Sequence, residues 1–146
     1  MTSFLPASGL QLRSVVKESG ELELSLQRVT VPAPAADEVV VRVEATPINP
    51  SDIGLLFGAA DLSTLAVTGS GEHSVATARI APAAMKSMAG RIGQSMPVGN
   101  EGAGTVVAAG SGSAAQALVG RTVAVLGGAM YSQFRTVKAE ACLPLP

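Results

Sequence analysis

The chain is poor in the residues that build most disulfide, metal and stacking sites. In 146 residues it has one cysteine, Cys142, and one histidine, His73. A single cysteine excludes an intrachain disulfide. Zinc needs three or four N, S or O ligands converging on one point, and this Cys and His cannot supply that set. There is no Trp, one Tyr and three Phe, so the core must be aliphatic. Charged residues make up only 14% and the formal net charge is −1. Phosphate binding needs a clustered basic face, whereas the Lys and Arg here are scattered singly, which argues against a nucleic-acid partner. No apolar run reaches the length of a membrane span, so no membrane partner is expected. Met1-Thr2-Ser3-Phe4-Leu5-Pro6 lacks a basic segment followed by an apolar one. No signal peptide is therefore expected, and a cytoplasmic location fits best.

What is present is aliphatic side chain and turn residue. Hydrophobic residues are 47% of the chain, with 16 Gly and 9 Pro. The length is that of one domain. Residues 10–16 and 22–31 read as strands joined at Glu18-Ser19-Gly20-Glu21. In the second, Leu22, Leu24 and Leu26 alternate with Glu23, Ser25 and Gln27, the period of a half-buried strand. Residues 38–46 are the clearest strand, with Val39, Val41 and Val43 on one face and Val40, Arg42 and Glu44 on the other. Ser51 or Asp52 is placed to cap a short helix running to Phe57, and Gly58 to stop it.

Residues 59–97 show little strand period, with one or two helical turns expected over 83–89. This segment reads as a long excursion within the domain, of a length usually functional or disordered. Strands return over 102–109, 121–126 and 132–137. Several short strands with Gly and Pro turns suggest a small β-barrel.

Gly99-Asn100-Glu101-Gly102-Ala103-Gly104 looks like a dinucleotide fingerprint. The spacing is wrong, and Thr105-Val106-Val107 favours strand. A phosphate site needs a strand before its glycines and a helix after them. On local pattern the segment is a tight turn that feeds a strand.

Two motifs carry a family resemblance: Ile48-Asn49-Pro50-Ser51-Asp52-Ile53, and residues 98–107 around Gly99-Asn100-Glu101-Gly102. Both resemble the catalytic domain of medium-chain dehydrogenases/reductases. In the zinc-dependent alcohol dehydrogenases of that superfamily, a zinc-binding His stands where this chain has Asn100, and the first zinc Cys falls near Ser51. The four-Cys structural zinc cluster has no counterpart. Asn-Pro-Ser-Asp with Gly-Asn-Glu-Gly is similar to the zinc-free branches, the enoyl-thioester reductases and quinone reductases. Residues 127–134, with Tyr131 and Phe134, resemble the family's Gly-x-Tyr-x-x-Tyr/Phe strand. Leu55-Leu56-Phe57-Gly58-Ala59-Ala60-Asp61 and the excursion after it resemble bacterial proteins provisionally described as NADPH:quinone oxidoreductases. The likeness runs from about Leu10 to Pro146.

The resemblance implies a mainly β fold with short helices, a GroES-like partly open β-barrel. It also implies a C-terminal Rossmann domain, which this chain does not contain. The chain (1–146) then reads as a fragment of a two-domain reductase. The implied function is hydride transfer from NADPH, without zinc, to a quinone or similar small-molecule substrate. Most of the cofactor would be held by the missing Rossmann domain, so the isolated chain is expected to bind NADPH weakly and turn over nothing. A homodimer is compatible with this.

Asn49 and Tyr131 are the implied catalytic residues. Asn49 and Asp52 would meet the cofactor, and Phe57, Asn100 and Met130 would line the substrate pocket. Each has a structural rival: Asn49 as a turn former, Asp52 as a helix cap, Tyr131 as core. Glu101 reads as a structural carboxylate and Cys142 as a small buried residue. The enoyl-thioester reductases place a proposed acid Tyr beyond a Gly, where this chain has Gly58-Ala59-Ala60-Asp61. That departure favours quinones, whose reduced oxygens take protons from solvent. An enoyl-thioester reductase domain is the alternative within the superfamily. A stand-alone GroES-like interaction module is the alternative outside enzymes.

Overall fold

The computed structural model describes residues 4–146. The segment 1–6, read above for targeting signals, therefore lies partly outside the described residues. Among the described residues ten strands follow in chain order: β1 (Ser8–Lys17), β2 (Glu21–Thr30), β3 (Glu38–Ala45), β4 (Ala60–Thr68), β5 (Val75–Ile80), β6 (Met96–Pro97), β7 (Glu101–Ala109), β8 (Thr122–Leu126), β9 (Phe134–Lys138) and β10 (Cys142–Pro144). The described residues also hold three short helices, α1 (Pro50–Leu56), α2 (Pro82–Met85) and α3 (Ser113–Gln116), and 3-10 turns at Gly71–His73, Lys86–Arg91 and Ala139–Ala141. The fold is mainly β, as expected. The strands form two five-stranded sheets, β4-β5-β2-β1-β6 and β10-β8-β7-β3-β9. Both are antiparallel and neither closes into a barrel.

The chain divides into two compact units. The first takes residues 28–47, 99–146 and the N-terminal segment to Gln11. Its sheet is built around β3, which pairs with β7 on one side and β9 on the other. Val39 and Val41 join Val106, Val123, Val125, Met130 and Cys142 in an aliphatic core. Val40 points the other way and packs with Val31 and Ala108. Both faces of β3 are thus buried at this end, and all three valines are 0% exposed. The glycines of β7 have a packing reason. A Cβ at Gly104 would collide with the carbonyl oxygen of Arg42, so only glycine lets the two backbones approach.

The second unit takes residues 12–27 and 48–98. Val16, Leu22, Ile80 and Met88 form its core. Residues 59–97, expected to be largely irregular, instead contribute β4, β5 and β6 to a sheet. The sequence hid β4 because it is an edge strand exposed along most of its length. Its register shifts between Asp61 and Ala66, and a half-buried alternation never develops. The turns expected over 83–89 are present as α2 and the 3-10 turn after it.

Candidate functional site

In the second unit, the candidate residues stand on and beside α1. Pro50 is the first helical residue, where its missing N–H costs nothing and its fixed φ suits the helix. A residue before proline is pushed toward extended backbone. Asn49 accordingly has φ −89 and ψ 158 and is the N-cap. The cap is therefore Asn49, and neither Ser51 nor Asp52 takes that place. Asp52 sits three positions in and its carboxylate accepts the Asn49 backbone N–H at 2.8 Å, closing a capping box. The box satisfies helix-end donors reciprocally. Asp52 is 0% exposed. Gly58 follows at φ +55, as expected for the end of the helix. Phe57 is half-buried and packs on the core of Val16, Leu22, Ile80 and Met88.

In the first unit, two segments far apart in sequence are joined by backbone bonds. The Met130 N–H donates to the Gly99 carbonyl at 3.2 Å, and the Gly127 N–H donates to the Asn100 carbonyl at 2.9 Å. Gly99 adopts φ +98, and a Cβ there would lie 2.6 Å from the Tyr131 ring. Glycine at 99 therefore serves both the turn and the seating of Tyr131. This arrangement brings Asn100, Met130 and Tyr131 together. The Tyr131 hydroxyl donates to the Pro47 carbonyl at 2.9 Å. Ala129, just before them, is held at φ +65, a left-handed conformation that costs a non-glycine residue about 1–2 kcal/mol. Its carbonyl accepts the Ser132 hydroxyl at 2.6 Å.

Two cavities open beside these residues. One, of about 180 Å³, is lined by Val43, Glu44, Ala45, Thr46, Met130, Tyr131 and Ser132. The other, of about 390 Å³, is lined by Ala45, Thr46, Pro47, Glu101, Gly102 and Ala103. They share Ala45 and Thr46. Thr46, Pro47 and Ser132 were missed as candidates in the sequence. Pro47 had a weak signal, standing in the Pro-rich turn with Asn49; Thr46 and Ser132 had none. Cys142 lines a third cavity, of about 530 Å³, with Val125, Leu126 and Leu143. Burial pushes the Cys142 thiol up in pKa, which keeps it protonated and inert.

Among the described residues, no group of three or more His, Cys, Asp or Glu side chains could hold a metal ion. Asn100 is a neutral amide, and His73 sits in an exposed 3-10 turn.

A family model described as the alcohol dehydrogenase GroES-like domain matches residues 35–146. No curated protein matches the chain. Among solved structures, it is similar to a protein from Mesorhizobium loti provisionally named an NADPH:quinone reductase, at 25% identity and TM-score 0.58, covering 100% of this chain and 38% of that one. A second protein so named, from Bacillus thuringiensis, is 20% identical with TM-score 0.61, covering 97% of this chain and 34% of that one. The CurK enoyl reductase is 21% identical with TM-score 0.59, covering 94% of this chain and 35% of that one. The chain thus spans a little over a third of the length of the structures it matches.

Proposed function

The chain belongs to the alcohol dehydrogenase GroES-like domain family, and from that premise we propose that it is the substrate-side domain of a zinc-independent reductase. The reaction is hydride transfer from NADPH to a quinone or a similar activated carbonyl. One observation carries the reading: in the two motifs that resemble the zinc-holding motifs of the alcohol dehydrogenases, Asn100 stands at the ligand His position and Ser51 lies near that of the first zinc Cys, and the family match spans both motifs. Neither an amide nor a hydroxyl is a usual zinc ligand. NADPH would supply the hydride and the electrons. A C-terminal Rossmann domain would hold most of it.

The chain's own residues orient, exclude water and donate. The Asn49 amide can both donate and accept, and the capping box fixes its backbone at the head of α1. That suits it to bond the carboxamide or ribose of the cofactor. Asp52, enclosed and engaged by the Asn49 N–H, acts through Asn49. Tyr131 can turn its hydroxyl from the Pro47 carbonyl to a substrate carbonyl. Asn100 would give a polar part and Met130 an apolar part of the pocket wall, and Phe57 would offer an apolar surface beside α1. Protons for the reduced quinone oxygens come from water, since no Tyr stands at Ala59, Ala60 or Asp61.

The test is NADPH oxidation by the longest native product of this gene, with an ortho-quinone and an enoyl thioester as parallel acceptors. Oxidation with the quinone is expected, and the thioester is expected to be poor. The reverse order would move the protein to the enoyl-reductase branch. Oxidation with neither, together with a stable cofactor-free ring, would favour a GroES-like interaction module. The name of the CurK enoyl reductase among similar structures is the observation that keeps the thioester arm in the test.

A further inference from the structure

The segment after α1 returns to the helix through one side chain. Arg91, the last residue of the 3-10 turn Lys86–Arg91, donates from its guanidinium to the Gly54 carbonyl at 3.2 Å and the Leu55 carbonyl at 3.1 Å. The same group donates to the Ser14 hydroxyl on β1 at 2.9 Å. Ser14 is 0% exposed. The contact is close: a Cβ at Gly58 would lie 2.6 Å from the Met88 methyl and 3.3 Å from Arg91 Nη1.

A seven-residue helix is too short to hold itself together. Its last carbonyls need partners, and a cation near them also suits the helix dipole. The planar guanidinium reaches two carbonyls and a strand hydroxyl at once, which a Lys ammonium on a flexible stem does poorly. At the other end of α1 stands the Asn49–Asp52 capping box. We infer that Arg91 is a positioning residue: it fixes α1 against β1, and through α1 it sets Asn49 for the hydride transfer proposed above, on which this inference rests. It also gives residues 59–97 a task, which is to carry Arg91 back to the helix that precedes them.

The test compares wild type, Arg91→Ala and Arg91→Lys in the longest native product, reading kcat, KM for NADPH and the thermal midpoint. Amide exchange over residues 53–57 is read alongside. The expected result for folded Arg91→Ala is a kcat lower by about 10- to 100-fold, faster exchange in α1, and partial recovery of both when guanidinium ion is added at millimolar concentration. Arg91→Lys is expected to fall between the two. Unchanged kcat in folded Arg91→Ala would overturn the inference, as would a loss that follows the folded fraction alone and is not recovered by guanidinium ion or by Lys. A wild type that oxidises no NADPH would sink the hydride-transfer reading and the catalytic part of this inference with it. The exchange data separate the two failures: α1 loosened by Arg91→Ala marks the reading at fault, and α1 unmoved marks the clamp itself.

Discussion

At the scale of single residues, Tyr131 and Cys142 sort the chemistry. The Tyr131 hydroxyl is bonded to the Pro47 carbonyl, so removing it has a structural and a functional consequence. Tyr131→Phe is expected to cost about 1 kcal/mol of stability, the usual net worth of one such bond. In the longest native product it should also lower quinone kcat by about 100-fold with little change in the KM for NADPH. A stability loss with kcat intact would return Tyr131 to a purely structural role. Cys142 gives the pH dependence. Burial raises its folded pKa, while an unfolded thiol titrates near about 8.5. Above that pH the unfolded chain releases a proton that the folded chain keeps. Stability therefore falls as pH rises through the unfolded thiol range, and its full contribution is present below it. Urea midpoints from pH 7 to 10 should decline more steeply for wild type than for Cys142→Ala; parallel slopes would contradict this. That Cys142 is a small buried residue was legible in the sequence from its aliphatic neighbours. The partner of Tyr131 was not, because Pro47 is far away in the chain and a carbonyl leaves no mark in sequence.

At the scale of elements, α1 shows what local pattern gives and withholds. The helix and its glycine stop were readable, since Pro50 and Gly58 are strong punctuation. Ser51 and Asp52 have side chains suited to a cap, but Pro50 holds the residue before it in extended backbone, which puts the cap at Asn49. Asp52, at 0% exposure, is the third residue of a reciprocal box, which predicts that Asp52→Ala removes a bond the helix cannot replace. The expected cost is about 1–2 kcal/mol, read by thermal unfolding. Local amide exchange in α1 should rise more than elsewhere. Uniform destabilisation without preferential opening of α1 would contradict the box as the helix's anchor. The central strand β3 was legible from its valines, but the burial of both its faces came only with Val31 and Ala108 behind it. Strand β4 was illegible for a different reason. An edge strand with Leu62, Leu65 and Val67 exposed and a shifted register lacks the alternation that a one-sided core imposes.

At the scale of the molecule, the family was readable from two short motifs because their residues are fixed by backbone geometry. Gly99, Gly102 and Gly104 each stand where a side chain would meet a neighbouring segment. The same glycines explain why the segment imitates a dinucleotide fingerprint without being one: they feed β7 instead of a helix. The division of the chain into two compact units was not legible, since both units are built from segments that alternate along the sequence. The proposed zinc-free chemistry rests on Asn100 at the ligand His position, and Ser51 near the first Cys position, of the motifs the chain resembles. The most direct test is NADPH oxidation by the longest native product, with an ortho-quinone acceptor, before and after exhaustive chelation. The account predicts a rate that chelation leaves unchanged. A rate that chelation abolishes and added zinc restores would contradict it.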